Sequence, residues 1–380
     1  MRIRSPVAAA LIMSLSAVAL VATEFVVIGL APAMETQLGL SPAHTGWLVT
    51  LFALSSALAA PFLMARLADA SASLVLGATL VPFAINTALI LFPRFEFAAV
   101  LRILQGPALP VYMSVASVHL ARVFGPGRGI GIIYLGVTIG VVAAPPFGTI
   151  ATEWYGWQMP IVVLGILSVL AMILSFRLSI PKLGESGPGT IRKHLLQPGF
   201  VTHLLLSAML FSAMFAGYAY LATLLKHSGL AEDQISLALL VFGMAGLAGS
   251  WIGGRLAPHA LLGAAVIPVI AGVCLASLGY PGHPPAAIVV AVLLVWGAVH
   301  AAGFVLSQVR VMAAAQENQS LASSMNISAA NVGIALGTFT GGWALESGGP
   351  TGLTGMTALF AAASIATAIL LAARPRTCST

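Results

Sequence analysis

The sequence predicts an all-α membrane protein with twelve transmembrane helices in two six-helix bundles. Three observations lead there. Of the 380 residues, 59% are hydrophobic and 7% charged, and mean hydropathy is +1.03, well outside the composition of soluble globular chains. Apolar segments of about 20 residues, the length a helix needs to cross roughly 30 Å of hydrocarbon, follow one another twelve times. The longest polar gap lies near the middle of the chain, and the sequences on either side of it echo each other.

The predicted spans are 7–30, 46–66, 73–92, 97–121, 129–151, 158–176, 200–225, 235–256, 260–280, 285–309, 321–345 and 353–373. The first resembles a signal peptide, with Arg2 and Arg4 before an apolar run and Ala31-Pro32-Ala33 after it. That run is too long for a cleaved leader and contains Glu24, so it reads as an uncleaved span. The gap rich in Gly and Pro holds Lys182, Arg192 and Lys193, and divides an N-terminal bundle (1–178) from a C-terminal one (200–380) through a cytoplasmic linker (179–199).

With the N-terminus inside, thirteen of the 16 basic residues, Arg310 among them, fall at cytoplasmic ends; Arg94 and Lys226 fall outside, and Arg102 lies within the bilayer. This is the positive-inside pattern, with both termini cytoplasmic. It accounts for the net charge of +6 without nucleic acid, since no basic stripe interleaved with aromatics occurs. Cys274 in a span and Cys378 in the tail suit no disulfide. The chain offers no nucleotide loop, metal-ligand cluster or nucleophile constellation, which argues against an enzyme and leaves a gradient as the energy source.

The halves repeat. Arg66-Leu67-Ala68 ending span two matches Arg255-Leu256-Ala257 ending span eight, and Arg122-Val123 after span four matches Arg310-Val311 after span ten. A duplicated six-span unit is a common construction among secondary transporters, with the substrate site near the midplane. Polar residues recur every third span: Glu24 in span one, Arg102, Gln105 and Tyr112 in span four, Tyr218 and Tyr220 in span seven, and Trp296 and His300 in span ten. Spans six, nine and twelve are nearly bare. Polar spans should face a cavity and bare ones lipid. Arg102, Gln105 and Tyr112 share a helix face, as do Trp296 and His300, whereas Tyr218 and Tyr220, two apart, cannot both face the cavity. Span eleven adds Asn331 and a run of glycines.

These residues resemble the major facilitator superfamily over essentially the whole chain, and within it the drug:proton antiporter branch, which includes multidrug and sugar exporters. Thr23-Glu24-Phe25 with Gly29 and Pro32 is similar to that branch's first-span pattern. Arg102-x-x-Gln105-Gly106 is similar to its fourth-span motif, whose arginine is associated with proton coupling. Gly131, Gly140, Ala144-Pro145 and Gly148-Thr149 resemble the antiporter motif of span five, with Ala144 and Thr149 where glycine is usual. The loop after span two keeps Asp69 but lacks the basic residues that normally follow, so a latch there would be weaker or would rely on Asp69 against a helix N-terminus.

Glu24 is the one carboxylate well inside a predicted span, and counting about 1.5 Å per residue puts it at a depth similar to Arg102. The pair can act as a proton-coupling site, or as a fixed ion pair that joins two helices. The resulting expectation is a proton-coupled exporter of a small lipophilic or amphipathic compound in a bacterial inner membrane. It would act as a monomer with no cofactor beyond the proton gradient. Phe25, Gln105, Tyr112, Tyr218, Trp296, His300 and Asn331 would line the cavity, and Asp69, Gly131, Gly140, Pro145 and Gly148 would serve gating and packing. Export of sugars, nucleosides or another metabolite, uniport, and a non-transporting membrane sensor are the alternatives.

Overall fold

Proline, glycine and small residues set where the helices begin, break and touch. The computed structural model describes residues 3–37, 42–67, 69–181, 197–279, 284–315 and 318–373. Most of the expected linker, and the C-terminal tail with Cys378, lie outside the described residues. In the first half the helices are α1 (Pro6–Gln37), α2 (Pro42–Arg66), α3 (Ala72–Thr79), α4 (Val81–Ala84), a 3-10 turn (Ile85–Ile90), α5 (Phe95–Phe124), α6 (Pro126–Tyr155) and α7 (Gln158–Arg177). The second half has α8 (Pro198–Tyr218), α9 (Leu221–His227), α10 (Glu232–Arg255), a 3-10 turn (Ala257–His259), α11 (Ala260–Gly279), α12 (Ala286–Ala314) and α13 (Gln319–Ala372).

Among the described residues, ten helices are long and apolar enough to cross a membrane. One of them, α13, has 54 residues and carries a break at Gly349, whose φ of 59° and ψ of −154° suit only glycine. Its two arms are the expected spans eleven and twelve, and α2 completes the predicted set. Two spans are less regular than the sequence suggests. Span three splits into α3, α4 and a 3-10 turn around Pro82, which has no amide hydrogen to continue the ladder. Span seven ends as α8 at Tyr218 and restarts as α9 at Leu221. By contrast α6 stays helical through Pro145 and Pro146.

The chain forms two compact units, Met1–Ile191 with Gln316–Ser328, and Arg192–Ala315 with Ala329–Thr380. In the first, α6 lies along α1 and α2 lies along α5. The glycines explain the closeness: a Cβ on Gly136 would collide with the Ser14 carbonyl, and one on Gly106 with Ser55 and the Phe52 carbonyl. The second unit repeats the plan. Gly333, Gly337 and Gly341 of α13 sit on Ala208, Ser212 and Ala216 of α8, while Gly297 of α12 sits on the Phe242 carbonyl of α10. Sequence echo and packing echo agree.

The bare helices turn their largest apolar side chains outward. Ile166, Leu170 and Ile173 of α7 are exposed, as are Leu262, Val266, Val269 and Val273 of α11. Their spacing of three and four makes one stripe per helix, the surface a lipid-facing helix needs. At one end of the first unit, Ile3 accepts from Ser179 N and donates to Arg177 O, and Ser73 Oγ donates to Leu178 O. The N-terminal segment, the start of α3 and the end of α7 therefore share one side, as an even number of crossings demands.

Candidate functional site

The first unit gathers polar groups where α1, α5 and the broken third span meet. Arg102 is 5% exposed, on α5. Its Nη1 donates to the Thr23 carbonyl at 3.1 Å and to Gln105 Oε1 at 3.4 Å, and its Nη2 donates to the Glu24 carbonyl at 3.4 Å. The face of the guanidinium lies over the Phe52 ring, 5.8 Å from its centroid. Gln105, fully buried, passes the chain on: its Nε2 donates to Asn86 Oδ1 at 3.1 Å and to Pro82 O at 3.2 Å. The irregular stretch created by Pro82 thus supplies two acceptors to α5.

Glu24 is half-buried on α1. Arg102 binds the main chain of this residue and of Thr23, and none of its hydrogen bonds goes to the Glu24 carboxylate. The fixed ion pair that the sequence allowed is thereby replaced by a guanidinium anchored to carbonyls, with a carboxyl close by. A small cavity adjoins Arg102, Thr23 and Asn86, and its other walls include Val27, Leu30 and Leu89. It has about 20 Å³ of room for water centres, enough for one water molecule. Phe25 is half-buried against the apolar cluster around Val26, Leu89 and Trp157.

Tyr112 lies elsewhere. It is wholly buried in the first unit, ten residues along α5 from Arg102, or about 15 Å. Gly131, Gly140 and Gly148 are buried and Pro145 is partly buried along α6. Asp69 is exposed in the turn after α2, and the N-terminus of α3 is capped by Ser71, which accepts from Leu74 N at 3.3 Å. The cap of α3 is thus Ser71, two residues after Asp69.

In the second unit, Tyr218, Trp296 and His300 come together within a larger set of rings. The His300 ring lies 4.6 Å from Tyr218, 5.2 Å from Phe215, 5.6 Å from Phe242 and 5.8 Å from Phe304. Trp296 meets Phe242 edge to face at 5.9 Å. Trp296 Nε1 and His300 Nδ1 are buried with no hydrogen-bond partner among the described residues. Tyr220 diverges from Tyr218 and donates to the Thr338 carbonyl at 2.7 Å. Asn331 is half-buried on α13, two residues before Gly333.

Sequence reasoning missed Asn86, Phe215, Phe242 and Phe304. A lone Asn inside an apolar span was a usable signal; phenylalanines among 17 were not. Arg310, which the positive-inside count places at a cytoplasmic end, was not among the candidate site residues. Arg310 is 5% exposed, inside the second unit, and donates to His203 and Ser207. It sits on a helix that runs four residues beyond it to Ala314, so a place near the helix end and a buried guanidinium go together.

The Major Facilitator Superfamily profile matches residues 13–338. The chain is 27% identical to the MFS-type transporter YtbD of Bacillus subtilis over 90% of each chain. It is 26% identical to the inner membrane transport protein YdhP of Escherichia coli K12 over 86% of each. A probable sugar efflux transporter of Mannheimia succiniciproducens is 24% identical over 95% of this chain and 93% of its own. Among solved structures, the fold is similar to that of the Major Facilitator Superfamily transporter FucP. The TM-score is 0.75 at 15% identity, over 96% of this chain and 98% of that one. Two repeated units of packed apolar helices, outward apolar stripes and a profile match over most of the length converge: this chain is a multi-pass integral membrane transporter of the Major Facilitator Superfamily, and not an enzyme.

Proposed function

We propose that this transporter exports a small lipophilic or amphipathic compound in exchange for protons, by alternating access and as a monomer, in a bacterial inner membrane with both termini cytoplasmic. The observation that carries this reading is the way Arg102 is held. Because the guanidinium is satisfied by the Thr23 and Glu24 carbonyls and by Gln105, the Glu24 carboxyl is not locked to it. A carboxyl near a fixed cation that itself adjoins a cavity with room for water can gain and lose a proton as the surroundings change. The energy source is then the proton gradient, with no cofactor.

The ring cluster around His300 supports the substrate class. Four aromatic rings around His300, a fifth from Trp296 on Phe242, and two buried N–H or ring-nitrogen groups suit an apolar, ring-bearing or cationic molecule better than a polyol, which needs many paired hydrogen bonds. The second reading, sugar export, is favoured by the Mannheimia succiniciproducens relative.

The test is proton release from purified protein in weakly buffered detergent on adding tetraphenylphosphonium, ethidium or a hexose. The expected result is release with the lipophilic cations, absent in Glu24→Gln and Arg102→Ala. Release with the hexose alone would establish the second reading. Binding without proton release in wild type would overturn proton exchange and leave uniport.

A further inference from the structure

Among the described residues, no acid balances one buried cation of the second unit. Arg310 lies on α12, one turn from its end, and is 5% exposed. Its Nη1 meets His203 Nδ1 at 2.9 Å and donates to the His203 carbonyl at 2.9 Å, while its Nη2 donates to Ser207 Oγ at 2.6 Å. Ser207 Oγ also lies 3.0 Å from Ser307 Oγ. Arg310 Nε is buried with no hydrogen-bond partner among the described residues. Every partner of this guanidinium is neutral.

That arrangement fixes the state of His203. Arginine can only donate, so Nδ1 must accept through its lone pair, and the imidazole is neutral with its hydrogen on Nε2. A proton on Nδ1 would set donor against donor and put two positive charges less than 3 Å apart in an interior where such charges interact strongly. A proton on His203 and the Arg310 contact therefore exclude one another.

Along α12 the other titratable group is His300, within the ring cluster. On α11 it is Cys274, in the apolar cluster with Leu275 and Trp296. On α13 the one charged residue is Glu346, beside Tyr220. At the end of α10 Arg255 is exposed and stacked on Trp251, and His259 in the following turn is also exposed. No described carboxylate faces the pair.

We propose that His203 is a second proton-binding site, occupied only when Arg310 withdraws, so that proton uptake separates the start of α8 from the end of α12. The step is simple: the Nδ1 lone pair takes a proton from water, the Nη1–H to Nδ1 bond breaks, and repulsion moves the guanidinium away. The idea uses the proton-exchange reading above for its role in transport, yet its geometry lies entirely in the second unit and does not involve Glu24.

The experiment uses full-length protein in lipid nanodiscs with Cys274→Ser and Cys378→Ser. Spin labels are placed at Val201→Cys and Ala313→Cys, both at exposed positions. Histidine ¹⁵N spectra and the label distance are followed from about pH 8 to 5, the range over which imidazole titrates. The His203 signal is identified by its loss in His203→Gln. In wild type the neutral Nε2–H form should give way to the doubly protonated one as the distance lengthens by about 2 Å, the scale of helix shifts in switching proteins. His203→Gln, whose amide oxygen still accepts from Arg310, should not lengthen. Arg310→Gln should take up the proton without lengthening, and remains informative if His203→Gln fails to fold. Glu24→Gln should behave as wild type in both readouts, so loss of proton-coupled transport there leaves this proposal untouched. A His203 that stays neutral throughout, or equal lengthening in His203→Gln, overturns it.

Discussion

Arg102 on α5 donates to the main-chain carbonyl of Thr23 on α1 at 3.1 Å, so the guanidinium fixes one helix against the other without using the carboxyl of the adjacent Glu24. Structural and chemical duties are thereby divided between neighbouring residues. Glu24→Gln should leave unfolding in detergent within about 1 kcal/mol of wild type, because the carbonyl bonds persist. Arg102→Ala should cost about 2 kcal/mol or more, as charge-assisted hydrogen bonds usually do. Thermal unfolding of both variants checks this; equal losses would show that the carboxyl bears on the helix contact.

The glycine faces make a sharper prediction. A side chain on Gly136 would strike the Ser14 carbonyl, and one on Gly337 the Ser212 carbonyl, both rigid helix backbone. Gly136→Val and Gly337→Val should each destabilise by about 1 to 3 kcal/mol, the usual cost of forcing extra volume into close packing. Gly355 has open space around its Cβ position, so Gly355→Ala should be neutral or stabilise by up to about 1 kcal/mol. Unfolding temperatures of the three variants, measured side by side, decide the matter.

How far these contacts were legible follows from what each depends on. Helix count and the lipid-facing helices follow from hydropathy and from which spans lack polar residues, and both are local properties. The nearness of Glu24 and Arg102 was legible from depth along two helices. Which atoms of Glu24 the arginine binds was not, because that depends on the rotation of α1 about its own axis. Span three was read as continuous, although Pro82 lies within it; the 3-10 turn that follows depends on Asn86 and Pro82 finding Gln105 on another helix. The burial of Arg310 was not legible for a related reason. A basic residue near a span end satisfies the positive-inside pattern whether it points to water or to a neighbouring helix.

The link from Gln105 to the third span carries its own prediction. Gln105 is fully buried and its amide serves both Asn86 Oδ1 and Pro82 O. Gln105→Leu keeps the volume but strands both acceptors, at a cost of about 1 to 3 kcal/mol. The loss should be local. Hydrogen exchange across residues 81–90 should rise while that of α6 stays unchanged, since the 3-10 turn has weaker hydrogen bonds of its own. A uniform rise across the first unit would mean that Gln105 supports the whole bundle instead.

The two tyrosines after the start of the second unit should separate cleanly. Tyr220 spends its hydroxyl on the Thr338 carbonyl at 2.7 Å, away from the rings, so Tyr220→Phe should cost about 1 kcal/mol of stability and leave binding of a lipophilic cation unchanged. Tyr218 stacks on Phe242 at 5.3 Å with planes 23° apart and lies 4.6 Å from His300. Tyr218→Ala removes one wall of that cluster, and binding of tetraphenylphosphonium should weaken by about tenfold, or 1.4 kcal/mol. Equilibrium binding in detergent distinguishes the cases, because each tyrosine is the control for the other. Equal weakening would place the ligand near Thr338, whereas weakening in Tyr220→Phe alone would remove the His300 cluster from the binding site.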